Sequence, residues 1–311
     1  MKRIGYLYEQ MMTKENFVKA EILLGKNKPK NKKAKFISHN AEYFAEKLFQ
    51  KVEQGYEWHK PRLATITDTY KGKTRNLKIP CLEDQAAQLV WLNIATPHIE
   101  RRNYYYNCGS IPKAGQSRCV NALKKWLKNP KYKYGAVLDI RKFYDTCPHW
   151  LVRKGLERIF KDQKFIDFAM GFVASMSDND VGLAIGYPCS HWLANVALSE
   201  LDHELKREFP DIKYTRYMDD IAMISGNKRK LRKAINFILA SLAKRLMFRI
   251  SKRMRRISKI SRHIASGVMS YLGILSHCNS YNFRLEHVYP YVNISTCAKA
   301  IRRRHNASYV F

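Results

Sequence analysis

The chain has 311 residues, 46% of them hydrophobic, enough to bury a large core in two or three lobes and too many for a disordered polymer. Lys and Arg outnumber Asp and Glu by 57 to 26, and the net charge of +31 is spread along the chain, which points to a polyanionic partner, nucleic acid ahead of an anionic membrane. No apolar run is long enough to span a bilayer, the N-terminus lacks a signal-peptide core, and seven Cys without a C-x-x-C pair speak against a disulfide framework and a zinc site; a cytoplasmic protein with Cys as small core residues is expected.

In chain order, residues 9–24 form an amphipathic stretch that runs into the basic segment 25–35. Pro29 and the like charges predict that this segment does not fold on its own, and phosphate contact and a solvated loop are both open readings. Ser38 or Asn40 can cap a helix through Phe49 whose apolar residues are Tyr43, Phe44, Leu48 and Phe49, with Gly55 as its end. Residues 64–70 and 75–79 then read as strands of a basic hairpin around the turn 71–74. A helix over 82–95 follows, with Glu83 and Asp84 in the first turn where the helix dipole favours acids. Another spans 118–127, after the loop 108–117.

Residues 135–138 read as a buried strand that ends on Asp139. That acid either caps the following turn or supplies a carboxylate to a metal site. Tyr144, five residues on, is near enough to line the same cavity, although a core aromatic is the ordinary reading. Gly186 and Pro188 mark a fixed turn, and Ser190 can cap a helix over 192–205. The stretch 213–225 is a hairpin, strands 214–217 and 221–224 around Met218-Asp219-Asp220. Two adjacent carboxylates repel, and a divalent cation such as Mg²⁺ removes the repulsion; a solvated acidic turn is the other reading. A helix over 228–246, a strand over 247–251, the basic run 252–256, an apolar stretch at 270–275 and a basic helix within 289–311 complete the chain.

Taken together, these pieces resemble the reverse transcriptases, in particular the bacterial retroelement branch. The resemblance runs from about Arg75 to Leu275. It rests on Asp139-Ile140-Arg141-Lys142-Phe143-Tyr144, Ile185-Gly186 with Ser190 and Leu193-Ala194-Asn195, Tyr217-Met218-Asp219-Asp220, Lys252, and Tyr271-Leu272-Gly273, five blocks in the family's order. It implies an α+β right-hand polymerase: a helical basic region over 1–60, fingers over 61–133, a palm with an antiparallel sheet over 134–275, and a short helical thumb over 276–311.

What the resemblance implies for chemistry is an RNA-directed DNA polymerase, in which Asp139, Asp219 and Asp220 hold two Mg²⁺ ions that Mn²⁺ can replace. It assigns nucleotide contact to Lys73, Arg75, Tyr144, Ile185, Gly186 and Lys252, with Tyr144 as the steric gate against ribonucleotides. Template and primer contact falls to Lys113, Arg141, Tyr217, Met218, Tyr271, Leu272 and Gly273. The implied partners are dNTPs, a structured non-coding RNA as template, the cDNA product, and an accessory protein; no membrane is implied.

Two departures qualify the match. Ile185 stands where most bacterial relatives have Gln, as in the error-prone diversity-generating enzymes, whereas His191 departs from their usual Gln; Ile111 replaces an Arg common before the loop's Pro, with Lys113 as a substitute. The short stretch after residue 275 points to dependence on an RNA or a protein partner. Compact antiphage-defence reverse transcriptases that copy their own RNA are the alternative, and a non-catalytic RNA-binding protein is the alternative of another class.

Overall fold

The structure is a computed structural model that describes residues 2–68, 73–111, 115–245 and 258–259. The expectations for the Lys73 side chain, Lys113, the strand at 247–251, Lys252, the motif at Tyr271, Leu272 and Gly273, and the thumb over 276–311 lie outside the described residues.

The first amphipathic stretch forms two helices, α1 (Leu7–Met11) and α2 (Lys14–Asn27). The basic segment departs from its expectation, because α2 runs to Asn27 and α3 (Lys32–His39) begins four residues beyond Lys28. Asn31 caps α3 by accepting the Ala34 N–H at 3.0 Å, and Ala34 is fully buried. A Cβ on Gly25 would overlap Ser38, so glycine is what lets α3 lie close against α2. Packing against a neighbour thus offsets the like charges that argued for a loop. In α4 (Ala41–Gly55), Asn40 occupies the cap position, but its side chain donates back to the Phe36 carbonyl at 2.9 Å, and Ser38 donates to the Ile22 carbonyl. The buried face is Ala41, Ala45, Leu48 and Val52, while Tyr43, one of the helix's apolar residues, is 57% exposed. Gly55, at φ +103°, ends the helix as expected.

The basic hairpin is β1 (Arg62–Asp68) and β2 (Lys73–Ile79), paired antiparallel from Arg62↔Ile79 to Asp68↔Lys73. The next helix, α5 (Leu82–Arg102), is longer than expected and continues through Pro97. Residues 84–92 are buried around its whole circumference, and Trp91 stacks on Phe165 while donating its indole N–H to the Phe165 carbonyl. Then come α6 (Gly115–Leu127), β3 (Tyr134–Asp139), α7 (Phe143–Thr146), α8 (His149–Ile159) and α9 (Gln163–Ala174), followed by α10 (Ser190–Glu208). Neither α8 nor α9 was anticipated. Ser190 does not act as the expected cap: its hydroxyl donates to the Ala184 carbonyl and pins the preceding turn. The acidic hairpin is β4 (Lys213–Tyr217) and β5 (Asp220–Ser225), and α11 (Lys228–Ala240) follows, capped by Asn227. A single wider turn over Ser241–Arg245 extends it, and β6 (Ser258–Lys259) is the last described strand.

The mixture of helices with antiparallel sheet is the expected α+β class. Chain contacts define two compact units, whose described parts are 2–102 with 144–197, and 103–143 with 198–245 and 258–259. The first unit packs its helices around α5 and the cluster of Trp91, Phe160, Phe165 and Phe172. The second is built on a sheet of order β4-β5-β3-β6. On one face Ala222 and Ile224 of β5 pack with Ala122, Leu123 and Trp126 of α6. Alternation turns Ile221 and Met223 to the other face, and these too are buried. Among the described residues, no helix is long and apolar enough to cross a membrane.

Candidate active site

The central strand pair decides where the carboxylates go. β3 and β5 run antiparallel in the register Leu138↔Ile221 and Asp139↔Asp220, so the ladder ends with two aspartates directly opposite each other. Residues opposite one another in such a ladder project on the same face with Cβ atoms about 5 Å apart. Asp219 is one residue away in the turn, and its carbonyl accepts the Ile140 N–H at 3.3 Å, tying the turn to the end of β3. All three acids are half-buried. Like charges in this arrangement destabilise a sheet unless something positive offsets them, and an all-carboxylate oxygen donor set suits a hard divalent cation.

The turn is held from beneath by residues that sequence reasoning passed over. Met218 has φ +56°, a left-handed conformation that costs a non-glycine residue about 1–2 kcal/mol. Its carbonyl accepts a hydrogen bond from Arg216 Nη1 at 2.8 Å. The same guanidinium grips Asp202 of α10 in a fork, with Nε to Oδ1 at 2.8 Å and Nη2 to Oδ2 at 2.6 Å. Both side chains have no solvent exposure. Burial works against the Arg216 charge, but the Asp202 carboxylate and its hydrogen bonds outweigh it and hold the guanidinium pKa above its ordinary value. Tyr214 donates to the same carboxylate, so Asp202 is fully surrounded. The only sequence signal was an arginine in the middle of a short strand, between Thr215 and Tyr217.

The outer edge of β4 is covered by the chain at 106–108. Arg216 N–H donates to the Tyr106 carbonyl at 3.0 Å, and the Cys108 N–H to the Arg216 carbonyl at 2.9 Å. Gly109 then passes the tip so closely that a Cβ would sit 2.5 Å from the Met218 nitrogen. Tyr217 is half-buried against the α6 cluster, and Arg141 is exposed.

A second group of the expected residues gathers in the first unit. The Tyr144 carbonyl accepts the Leu183 N–H at 2.7 Å, which sets the half-buried Tyr144 beside the loop leading to Ile185 and Gly186. The Ile185 carbonyl accepts the Lys78 N–H at 2.9 Å, joining that loop to the foot of β2. Gly186 has φ +117°, and a Cβ there would meet the Lys78 carbonyl oxygen at 2.6 Å, so both conformation and space require glycine. Lys78 Nζ donates to the Met176 carbonyl on the same unit. Arg75 lies further out, exposed, on β2. His191 is half-buried at the start of α10, and burial pushes its imidazole down to about 4, so the ring is neutral at physiological pH.

A family model described as reverse transcriptase (RNA-dependent DNA polymerase) matches residues 59–274, most of the chain. A search of the curated proteins finds no match. Among solved structures, the chain is similar to apo telomerase from Candida tropicalis truncated of its C-terminal domain, at 12% identity and a TM-score of 0.47, over 70% of this chain and 54% of that one. It is similar to telomerase from Candida albicans in complex with a fragment of telomeric RNA, at 11% identity and a TM-score of 0.49, over 68% of this chain and 44% of that one. Apo telomerase from Candida tropicalis gives 11% identity and a TM-score of 0.48, over 70% and 49%. The chain therefore spans about half the length of these telomerase chains.

Proposed function

This chain belongs to the reverse transcriptase family, and from that premise we propose that it copies an RNA template into DNA. The observation that carries the proposal is the ladder end at which Asp139 faces Asp220, with Asp219 beside it in the turn. The family is metal-dependent, and three convergent carboxylates fit a pair of divalent cations, Mg²⁺ first and Mn²⁺ in its place. When bound, such cations lower the pKa of the primer 3′-hydroxyl and neutralise charge on the triphosphate and the departing pyrophosphate.

The protein's own part is position. Asp139 and Asp220 are fixed by the register of β3 and β5, and Asp219 by its backbone bond to Ile140. Arg216 and Asp202 keep the turn from shifting. Tyr144 selects against a 2′-hydroxyl, and Ile185 and Gly186 shape the site of the nascent base pair. Lys73 and Arg75 contact the triphosphate or the template backbone, with Lys252 near the leaving group. Lys113, Arg141, Tyr217, Met218, Tyr271, Leu272 and Gly273 contact template and primer. Fingers at 61–133, palm at 134–275 and thumb at 276–311 belong to the same reading.

The template is a structured non-coding RNA, served by an accessory protein, and the setting is cytoplasmic. Ile185 in place of Gln supports error-prone copying of the diversity-generating kind, and a defence enzyme that copies its own RNA is the second reading. The test is primer extension with dNTPs on an RNA template. Asp219→Ala and Asp220→Ala are each expected to lower synthesis at least about a hundredfold while RNA binding persists. Unchanged synthesis in both would remove the carboxylate site, and an inactive wild type that still binds RNA would favour the non-catalytic reading.

A further inference from the structure

Three side chains of the first unit that the polymerase reading does not use converge at the start of α5. His59, Cys81 and Asp84 place an imidazole nitrogen, a thiol sulfur and a carboxylate oxygen all within 4.8 Å of one another. His59 Nδ1 lies 2.9 Å from Asp84 Oδ1 and 3.6 Å from Cys81 Sγ. We propose that these three residues bind a zinc-type transition-metal ion, with a fourth position left to water.

The His59 to Cys81 distance suits that ligand set, while the His59 to Asp84 pair, now a direct hydrogen bond, opens by a few tenths of an ångström to an N···O edge of about 3.3 Å. Tetrahedral zinc with bonds of about 2.0–2.1 Å to nitrogen and 2.3 Å to sulfur has N···S edges of about 3.6 Å. The surroundings also hold the donors as outer partners of a metal site do. Tyr56 donates its hydroxyl to Asp84 Oδ1 at 2.7 Å, the His59 backbone N–H points to Asp84 Oδ2 at 3.2 Å, and the Asp84 N–H points to Cys81 Sγ at 3.4 Å. Asp84 is 1% exposed and fixed, whereas His59 and Cys81 are open to solvent, which gives an ion a way in. A relay of nucleophile, base and acid does not fit, because Asp84 and Cys81 address the same ring nitrogen and a relay needs one on each. Binding sends the thiol proton to solvent and breaks the Nδ1–H hydrogen bond to Asp84, the ring proton moving through solvent from Nδ1 to Nε2 so that the Nδ1 lone pair faces the ion. The mixed N, S and O set favours Zn²⁺ or Co²⁺ over Mg²⁺, so the site is chemically separate from the three aspartates.

Its place gives it a consequence. His59 precedes β1 by three residues and Cys81 follows β2 by two, so one ion closes the foot of the basic hairpin. A two-stranded ribbon is marginal alone, and this cross-link restrains both its ends. The experiment is a titration of the full chain with Co²⁺ in excess Mg²⁺, read by the thiolate-to-cobalt charge-transfer absorption in the near ultraviolet. One equivalent with that band is expected, lost in Cys81→Ser and weakened at least tenfold in His59→Ala. Asp219→Ala should leave it intact, so the result stands apart from the polymerase reading. Absence of the band in the wild type, or its survival in Cys81→Ser, would overturn the proposal.

Discussion

The two hairpins differ in what holds them. Of the acidic hairpin, β5 is buried along 221–225 and β4 along 214–216, with a buried ion pair beneath the turn. The basic hairpin leaves Leu63 72% exposed and Ile66 47% exposed, and Leu77 is its buried side chain among the described residues. It is gripped at its foot, by the Lys78 backbone on Ile185 and by the glycine at 186. Carboxylates meant to share a cation must be placed to fractions of an ångström, which takes a packed core. On the proposed reading, the cations of the basic hairpin need only reach and charge to meet phosphate, and an exposed ribbon keeps both.

Removing the buried acid should break the contrast most severely. Asp202→Ala strands the Arg216 charge in the core, and a loss of about 3–5 kcal/mol is expected in denaturant unfolding. Synthesis should fall with it even where the fold persists, because the Met218 carbonyl loses its anchor. At the basic hairpin, Gly186→Ala meets both a positive φ and the Lys78 carbonyl, and about 1–3 kcal/mol should be lost.

Acid should loosen the first unit at the start of α10. The folded His191 pKa of about 4 lies below the unfolded value of about 6.5, so its contribution is complete above pH 6.5 and is lost as pH falls towards 4. Unfolding at a series of pH values should show a decline of about 1–3 kcal/mol across that window, flattened in His191→Gln. The smallest stability effect belongs to Arg75→Ala, within about 0.5 kcal/mol because the side chain is exposed. Its KM for dNTP, or its affinity for template, should nevertheless rise or weaken measurably; no change in either would leave Arg75 without a role in the site.

Much of this was legible in advance because local pattern and tertiary demand agreed. The apolar run ending in Asp139 and the two apolar, β-branched runs around Asp219 and Asp220 specify strands and a tip, whereas the register that sets Asp139 opposite Asp220 is not written in strands buried on both faces. Local rules failed where a distant group took over. Ser38 and Ser190 have the composition of caps, yet each hydroxyl bonds a carbonyl elsewhere. The helix α3 is specified by Gly25 and Ala34 against a neighbour, which charge counting does not register. Arg216 and Asp202 come from a strand and a helix, and His59 and Cys81 from the two ends of a hairpin, so spacing along the chain does not announce either group.

The fork between Arg216 and Asp202 also constrains how relatives of this chain can diverge. A lysine at 216 brings one point charge and cannot serve both carboxylate oxygens and the Met218 carbonyl together. Positions 202 and 216 are therefore expected to change in concert along a lineage. A volume-matched apolar pair keeps the core sound but releases the carbonyl at the tip, so such lineages must evolve another hold on the turn.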